Sequence, residues 1–288
     1  MTSTAFVSTK NSTIVRSNTV ANTVAGVDPH VAARSFGEPP APRAPRVPEV
    51  PGAITQRSTL RVGANDLAVY RWQAERGSGP TVLLAHGFGG SAAQLTSFVP
   101  ELLAAGSSVV AFDQPAHGFS PGRYAHLVAF SRNVTAVARA FDAHTVIAHS
   151  LGATATLVAH ARGLTLERAV LIAPPGNVEH FAAVYADAIG LPRERVPAML
   201  AEVEREFGFP LALLDVRSVL SLASDIAPAD ILVMHDPADA EVPYLHGRQL
   251  VDHWPNARLE TVTGVGHRRV LRDAAVVHTA VEHVTRKH

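Results

Sequence analysis

The 288-residue sequence contains no cysteine, which excludes disulfides, thiolate catalysis, cysteine-ligated zinc and iron–sulfur clusters. A reducing compartment is compatible with that absence, and the expectation is a cytoplasmic protein. Charge is sparse, at 17% of residues, and evenly split, with 25 Lys+Arg against 25 Asp+Glu. Without an excess of basic residues, neither a nucleic acid nor an anionic membrane surface is the expected partner. The balance points instead to a small, largely uncharged substrate. The apolar runs are of strand length and interrupted, so no membrane span is expected. The 15 histidines are scattered and form no HExxH or comparable pair, so neither a metal site nor any other cofactor is expected. Oligomeric state is left open by all of this.

What is present changes character along the chain. Residues 1–24 are rich in Ser, Thr and Asn, have no acidic residue and lack the apolar core of a secretory signal. Lys10 and Arg16 in that context leave a transit peptide as an alternative. Pro39, Pro40, Pro42, Pro45, Pro48 and Pro51 follow as an extended run. The expected division is a disordered, proline-rich tail over 1–54 and one folded domain over 55–288.

Within that domain, short apolar runs alternate with helical patterns. Strands are expected at 59–62, 67–72, 81–85, 108–112, 145–148, 168–173, 231–235 and 258–262. The first two alternate in polarity and suit a hairpin, while the later ones are near-continuous apolar runs, as for parallel strands covered on both faces. Helices are expected at 92–105, 124–141, 151–162 and 273–287. Such alternation argues an α/β chain with a mostly parallel central sheet and helices on both faces. The segment 176–229 is too long for an ordinary crossover and carries helical stretches at 178–189, 193–207 and 211–224. It reads as a small helical cap.

Two segments carry chemistry. In the first, the apolar run Thr145-Val146-Ile147-Ala148-His149 leads straight into Ser150-Leu151-Gly152 and a helix. A sharp strand–helix turn of this kind presents a serine hydroxyl above the carboxyl edge of a sheet, beside a helix N-terminus. An N-cap serine opening an ordinary helix would give a similar pattern. In the second, the run 81–85 ends in His86-Gly87-Phe88-Gly89-Gly90. Glycines there let backbone N–H groups turn into a site, with Phe88 and Leu151 as the expected oxyanion donors. A ligand-free turn is the alternative, and the spacing fits neither GxGxxG nor a phosphate-binding loop.

Three further segments stand in order with these: Asp113-Gln114-Pro115-Ala116-His117-Gly118-Phe119-Ser120, Asp236-Pro237-Ala238-Asp239-Ala240-Glu241-Val242-Pro243 and Gly264-Val265-Gly266-His267. Together the five resemble the α/β-hydrolase superfamily, most closely its lipase- and esterase-like serine hydrolases, from about residue 56 to the C-terminus. The resemblance implies an α/β-hydrolase fold and a catalytic triad of Ser150, Asp239 and His267. Asp236 is the rival acid; it holds a position more often glycine and is assigned to the turn. His149 is expected to point away from the site, and Asp113 and His117 to belong to a structural loop. Departures from the family pattern are Ala148 and Ala116, each standing where glycine is usual. The implied activity is ester hydrolysis through an acyl-enzyme on a small to medium apolar ester. An amidase, thioesterase, acyltransferase, carbon–carbon hydrolase or perhydrolase could use the same residues, and so could a non-catalytic binding protein on the same scaffold. Phe181 and Tyr185, four apart on one helical face of the cap, are candidates for substrate contact.

Overall fold

In a computed structural model, the described residues are 27–40, 45–74, 77–208, 211, 215, 218–219, 229–254 and 256–286. Among them, eight strands form one sheet: β1 (Gln56–Val62), β2 (Asn65–Trp72), β3 (Thr81–Ala85), β4 (Ser108–Phe112), β5 (Thr145–His149), β6 (Arg168–Ile172), β7 (Asp230–His235) and β8 (Ala257–Thr261). Their order is β1-β2-β4-β3-β5-β6-β7-β8, antiparallel through β1, β2 and β4 and parallel from β4 to β8. The expected hairpin is β1–β2, and each expected strand is present within a few residues of its bounds.

Period-two alternation splits the strands' side chains between two cores. Leu83, Ala85, Val146, Ala148, Ala169 and Leu171 face one side, covered by α3 (Leu127–Ala140) and α4 (Leu151–Ala161). Val82, Leu84, Ile147, Val170 and Ile172 face the other, under the C-terminal helix Ala274–Thr285 and the segment after β3. That segment was expected as one helix; it is a 3-10 stretch, Ala92–Phe98, running into α2 (Val99–Ala104). Pro100 has no N–H to give back along the chain, so a regular helix cannot run through it unbroken.

The cap is built of α5 (Val178–Ile189) and α6 (Val196–Phe207), each closed by a left-handed glycine, Gly190 and Gly208. Of the third expected stretch, 211–224, most lies outside the described residues.

Parts of the stretch expected as a disordered tail, up to residue 54, are ordered. Pro29–Phe36 forms a helix, α1, with Asp28 as N-cap, Pro29 in its first turn and Gly37 at its end. Ala32 and Ala33 are fully buried in the core that also holds Ala182, Ala186, Met199 and Val203 of α5 and α6. Two alanines leave no wide apolar stripe to notice in the sequence, but they let the helix approach its neighbours closely. Downstream, Val50 pairs with Ala53 and is itself buried, and Trp72 donates to Thr55 (2.9 Å).

Candidate active site

Ser150 sits between β5 and α4 with φ 52° and ψ −127°, a backbone conformation costly for any residue but glycine. Its N–H donates to Ile172 O (2.9 Å) and its carbonyl accepts from Ala153 N (2.8 Å), so both sides of the turn are tied down. The small residues around it are required by contact. A Cβ on Gly152 would lie 2.4 Å from His86 O, and one on Gly87 would lie 2.7 Å from Ser150 Cβ. The serine is therefore pressed between the helix start and the glycine-rich loop after β3.

His267 lies in a four-residue helix, Gly266–Arg269, that follows the turn after β8, and its Nε2 is 3.1 Å from Ser150 Oγ. Its Nδ1 is 2.7 Å from Asp239 Oδ2. With Nδ1–H donated to the carboxylate, Nε2 presents its lone pair to the serine hydroxyl. Asp239 Oδ1 accepts from the N–H groups of Glu241 (2.8 Å) and Val242 (2.9 Å). Behind it, His235 donates through Nε2 to Val242 O (3.1 Å), 3.5 Å from Asp239 Oδ2. Burial pushes the Asp239 carboxyl up, but hydrogen bonds from His235, His267 and Val242 outweigh it and hold the group well below the usual carboxylate range. Asp239 is an anion at neutral pH. Ser150 and His267 are only 8% and 9% exposed, so the chain of hydrogen bonds lies in a sheltered setting where such bonds are strong.

The loop His86–Gly90 is fixed by two neutral histidines. His86 Nδ1–H donates to Gly87 O (2.7 Å) and its Nε2 accepts from Gln114 N (3.0 Å). His117 Nδ1–H donates to Pro115 O (2.8 Å) and its Nε2 accepts from Gly89 N (2.8 Å). Burial lowers His86 to about 4; burial and the neighbouring His86 lower His117 to about 3. Both acceptor nitrogens thus stay free of protons at neutral pH. The Gly89 and Gly90 N–H groups are engaged internally, and Phe88 between β3 and these glycines is 38% exposed. Leu151 opens α4, so its N–H has no intrahelical acceptor.

The loop after β4 supports this arrangement. The Asp113 carboxylate accepts from Tyr70 Oη (2.8 Å), Ala92 N (2.8 Å) and Phe119 N (2.9 Å). A side chain at Gly118 would be strained by its φ of 50° and would displace that carboxylate, since its Cβ would fall 2.2 Å from it. Ala116, standing where the resemblance leads one to expect glycine, adopts φ 62°. It carries the strain that glycine would avoid.

One residue, His149, behaves otherwise than expected, and Asp236 does more than the turn role expected of it. His149 does not point away: its Nε2–H donates to the carbonyl of His267 (2.8 Å), and the two rings lie 4.6 Å apart. Asp236 does cap its own turn, through Ala238 N (2.8 Å), but it also reaches the turn that leads into the His267 helix, accepting from Val265 N (2.8 Å) and Gly266 N (2.6 Å). Of the cap aromatics, Tyr185 engages α1, through Ser35 Oγ (2.6 Å), Ala32 O (3.3 Å) and the Phe36 ring (5.2 Å). Phe181 packs edge-on to His180 (5.5 Å), which packs on His246 (5.4 Å).

A family model described as serine aminopeptidase, S33, matches residues 78–210, a stretch that includes Ser150 and the loop after β3 but ends before Asp239 and His267. No curated protein matches the chain. Among solved structures it is similar to the Pyrococcus furiosus esterase Pf2001, at 19% identity over 87% of this chain and 97% of that one, with a TM-score of 0.64. It is also similar to Est1E of Butyrivibrio proteoclasticus, solved with ferulic acid bound, at 17% identity over 79% of this chain and 99% of that one (TM-score 0.59). A thioesterase domain from the curacin biosynthetic pathway gives 16% identity, the same two coverages and a TM-score of 0.55. Identities this low speak to fold alone, and the strand order and the strained serine turn agree with them: the chain has the α/β-hydrolase fold.

Proposed function

We propose that the protein is a serine hydrolase that cleaves small to medium apolar carboxylic esters through an acyl-enzyme. The observation that carries the reading is the unbroken hydrogen-bond chain from Asp239 through His267 to Ser150. Serine is a weak nucleophile until a base takes its proton, and the imidazole needs a carboxylate to fix its tautomer and stabilise the cation that forms. In the proposed cycle, His267 Nε2 takes the Ser150 proton as Oγ attacks the ester carbonyl carbon. The N–H groups of Phe88 and Leu151 receive the oxyanion. His267 then returns the proton to the departing alkoxide. Water attacks the acyl-enzyme by the same route and releases the acid. An apolar acyl or alkyl group agrees with the exposed Phe88, with Phe181 on the cap and with the sparse charge of the chain.

The related folds include a thioesterase domain, and the matched family is described as an aminopeptidase, so thioesters and amides are the competing substrate classes. Rates on p-nitrophenyl esters of rising acyl length, measured beside matched thioesters and p-nitroanilides, test the proposal. It expects the highest kcat/KM on an ester of short or medium chain. Preference for the anilide series, or no turnover of any ester, would reject it.

A further inference from the structure

The turn that leads into the short His267 helix is held by an anion. Val265 is right-handed (φ −99°, ψ −31°) and Gly266 left-handed (φ 64°). A right-handed residue followed by a left-handed one turns successive N–H groups toward a common point, forming a concave anion site. The anion is Asp236 Oδ2, 2.8 Å from Val265 N and 2.6 Å from Gly266 N, while its Oδ1 takes Ala238 N (2.8 Å) on the loop that bears Asp239. One buried carboxylate thus spans the two loops whose side chains must meet. At the next residue, the carbonyl of His267 is held by His149 from the serine turn. The base is gripped on its N-terminal side by Asp236 and at its own carbonyl by His149.

We propose that Asp236 is a positioning residue for His267: it registers the base-bearing segment against the acid-bearing loop, so that Nδ1 and Nε2 reach Asp239 and Ser150 together. It touches no substrate and acts through His267, so the inference rests on the reading of His267 as the base. Asparagine cannot replace it fully. A single acceptor oxygen must abandon either Ala238 or the paired N–H groups, and the amide NH2 then faces an N–H donor.

The test uses the full chain as wild type, Asp236→Asn and Asp236→Ala. It measures kcat and KM on a p-nitrophenyl ester, the rate of phosphonylation by a fluorophosphonate, and folding by circular dichroism. Displacing a reacting group by about 1 Å costs on the order of 100-fold in rate. Asp236→Ala is therefore expected to lose about that much in both kcat and phosphonylation rate, with KM held and Asp236→Asn falling between it and the wild type. Combined with Asp239→Asn, Asp236→Ala should cost little more than Asp239→Asn alone, because both act by orienting one imidazole. A folded Asp236→Ala protein with wild-type kcat, or one altered in KM alone, would overturn the proposal; if Asp236→Ala does not fold, the same criteria fall on Asp236→Asn. Wild-type protein that takes no phosphonate on Ser150 would instead remove the hydrolase reading itself, and this inference with it.

Discussion

The side chain of His149 donates to the main-chain carbonyl of His267 at 2.8 Å, so the residue beside the strained serine holds the residue that faces the serine hydroxyl. The arrangement keeps Ser150 and His267 in register although 117 positions separate them. The two carboxylates nearby make different contacts, Asp239 with the His267 ring and Asp236 with backbone N–H groups, and substitution should separate them.

Asp239→Asn should lower kcat by on the order of 10,000-fold, because an amide at that place favours the wrong imidazole tautomer. Asp236→Asn should cost far less, since both oxygens of Asp236 are taken by backbone N–H groups and neither meets the His267 ring. Steady-state kinetics on one ester decide the ranking. A larger loss from Asp236→Asn would move the acid to that position.

Gly87→Ala should cripple turnover without removing any functional side chain. The added methyl would stand 2.7 Å from Ser150 Cβ and 3.3 Å from its Oγ, so the loop bearing Phe88 must retreat. Losing one oxyanion donor typically costs about 3–4 kcal/mol, or two to three orders of magnitude in kcat. A variant within about twofold of wild type would show that Phe88 donates nothing to the oxyanion.

Stability should fall in mild acid. His86, His117 and His149 are buried and lowered from the ordinary 6.5 to about 4, 3 and 3, chiefly by desolvation. Below pH 6.5 the unfolded chain binds protons at these positions that the native state refuses. Their contribution is therefore whole above pH 6.5 and is lost as pH falls toward the folded values, each by about 1.4 kcal/mol per pH unit. Urea midpoints from pH 8 to pH 5 measure this, and His117→Asn should remove about one proton from the slope. Midpoints unchanged over that range would contradict the account of these three residues.

Removing the N-terminal helix should matter. A chain begun at Asp28 keeps α1, whereas one begun at Ala53 loses Ala32, Ala33 and the Ser35–Tyr185 hydrogen bond, together with the Arg123–Glu38 ion pair. It also loses Pro40, whose Cγ would lie 3.1 Å from a Cβ on Gly89 in the loop beside Ser150. The shorter chain should melt lower, by about 2–4 °C for each kcal/mol lost in a domain of this size, and its ester chain-length profile should shift. Equal melting temperatures and profiles for the two chains would show that α1 is dispensable.

Much of this was legible in the sequence, for identifiable reasons. Parallel strands buried on both faces are continuous apolar runs, so β3 to β7 stood out, and the serine turn declared itself through the apolar run leading straight into Ser150 and through Gly152, although Ala148 departs from the usual glycine. The N-terminal helix carried its signals too, in Asp28, Pro29 and Gly37, but a packing face of two alanines hides from a search for large apolar residues. What composition and spacing do not encode is direction. Whether His149 turns toward His267, or Asp236 reaches across to Val265 and Gly266, depends on backbone angles at Ser150 and Gly266 that only the folded chain defines.

Covalent labelling tests the proposal that Ser150 is a nucleophile activated by His267. Wild-type protein treated with a fluorophosphonate and digested should carry one phosphonyl adduct, on the peptide containing Ser150, in step with loss of esterase activity. Ser150→Ala should take no adduct while remaining folded, and His267→Ala should label orders of magnitude more slowly. An adduct on another residue, or a Ser150→Ala protein that keeps its esterase activity, would contradict the account.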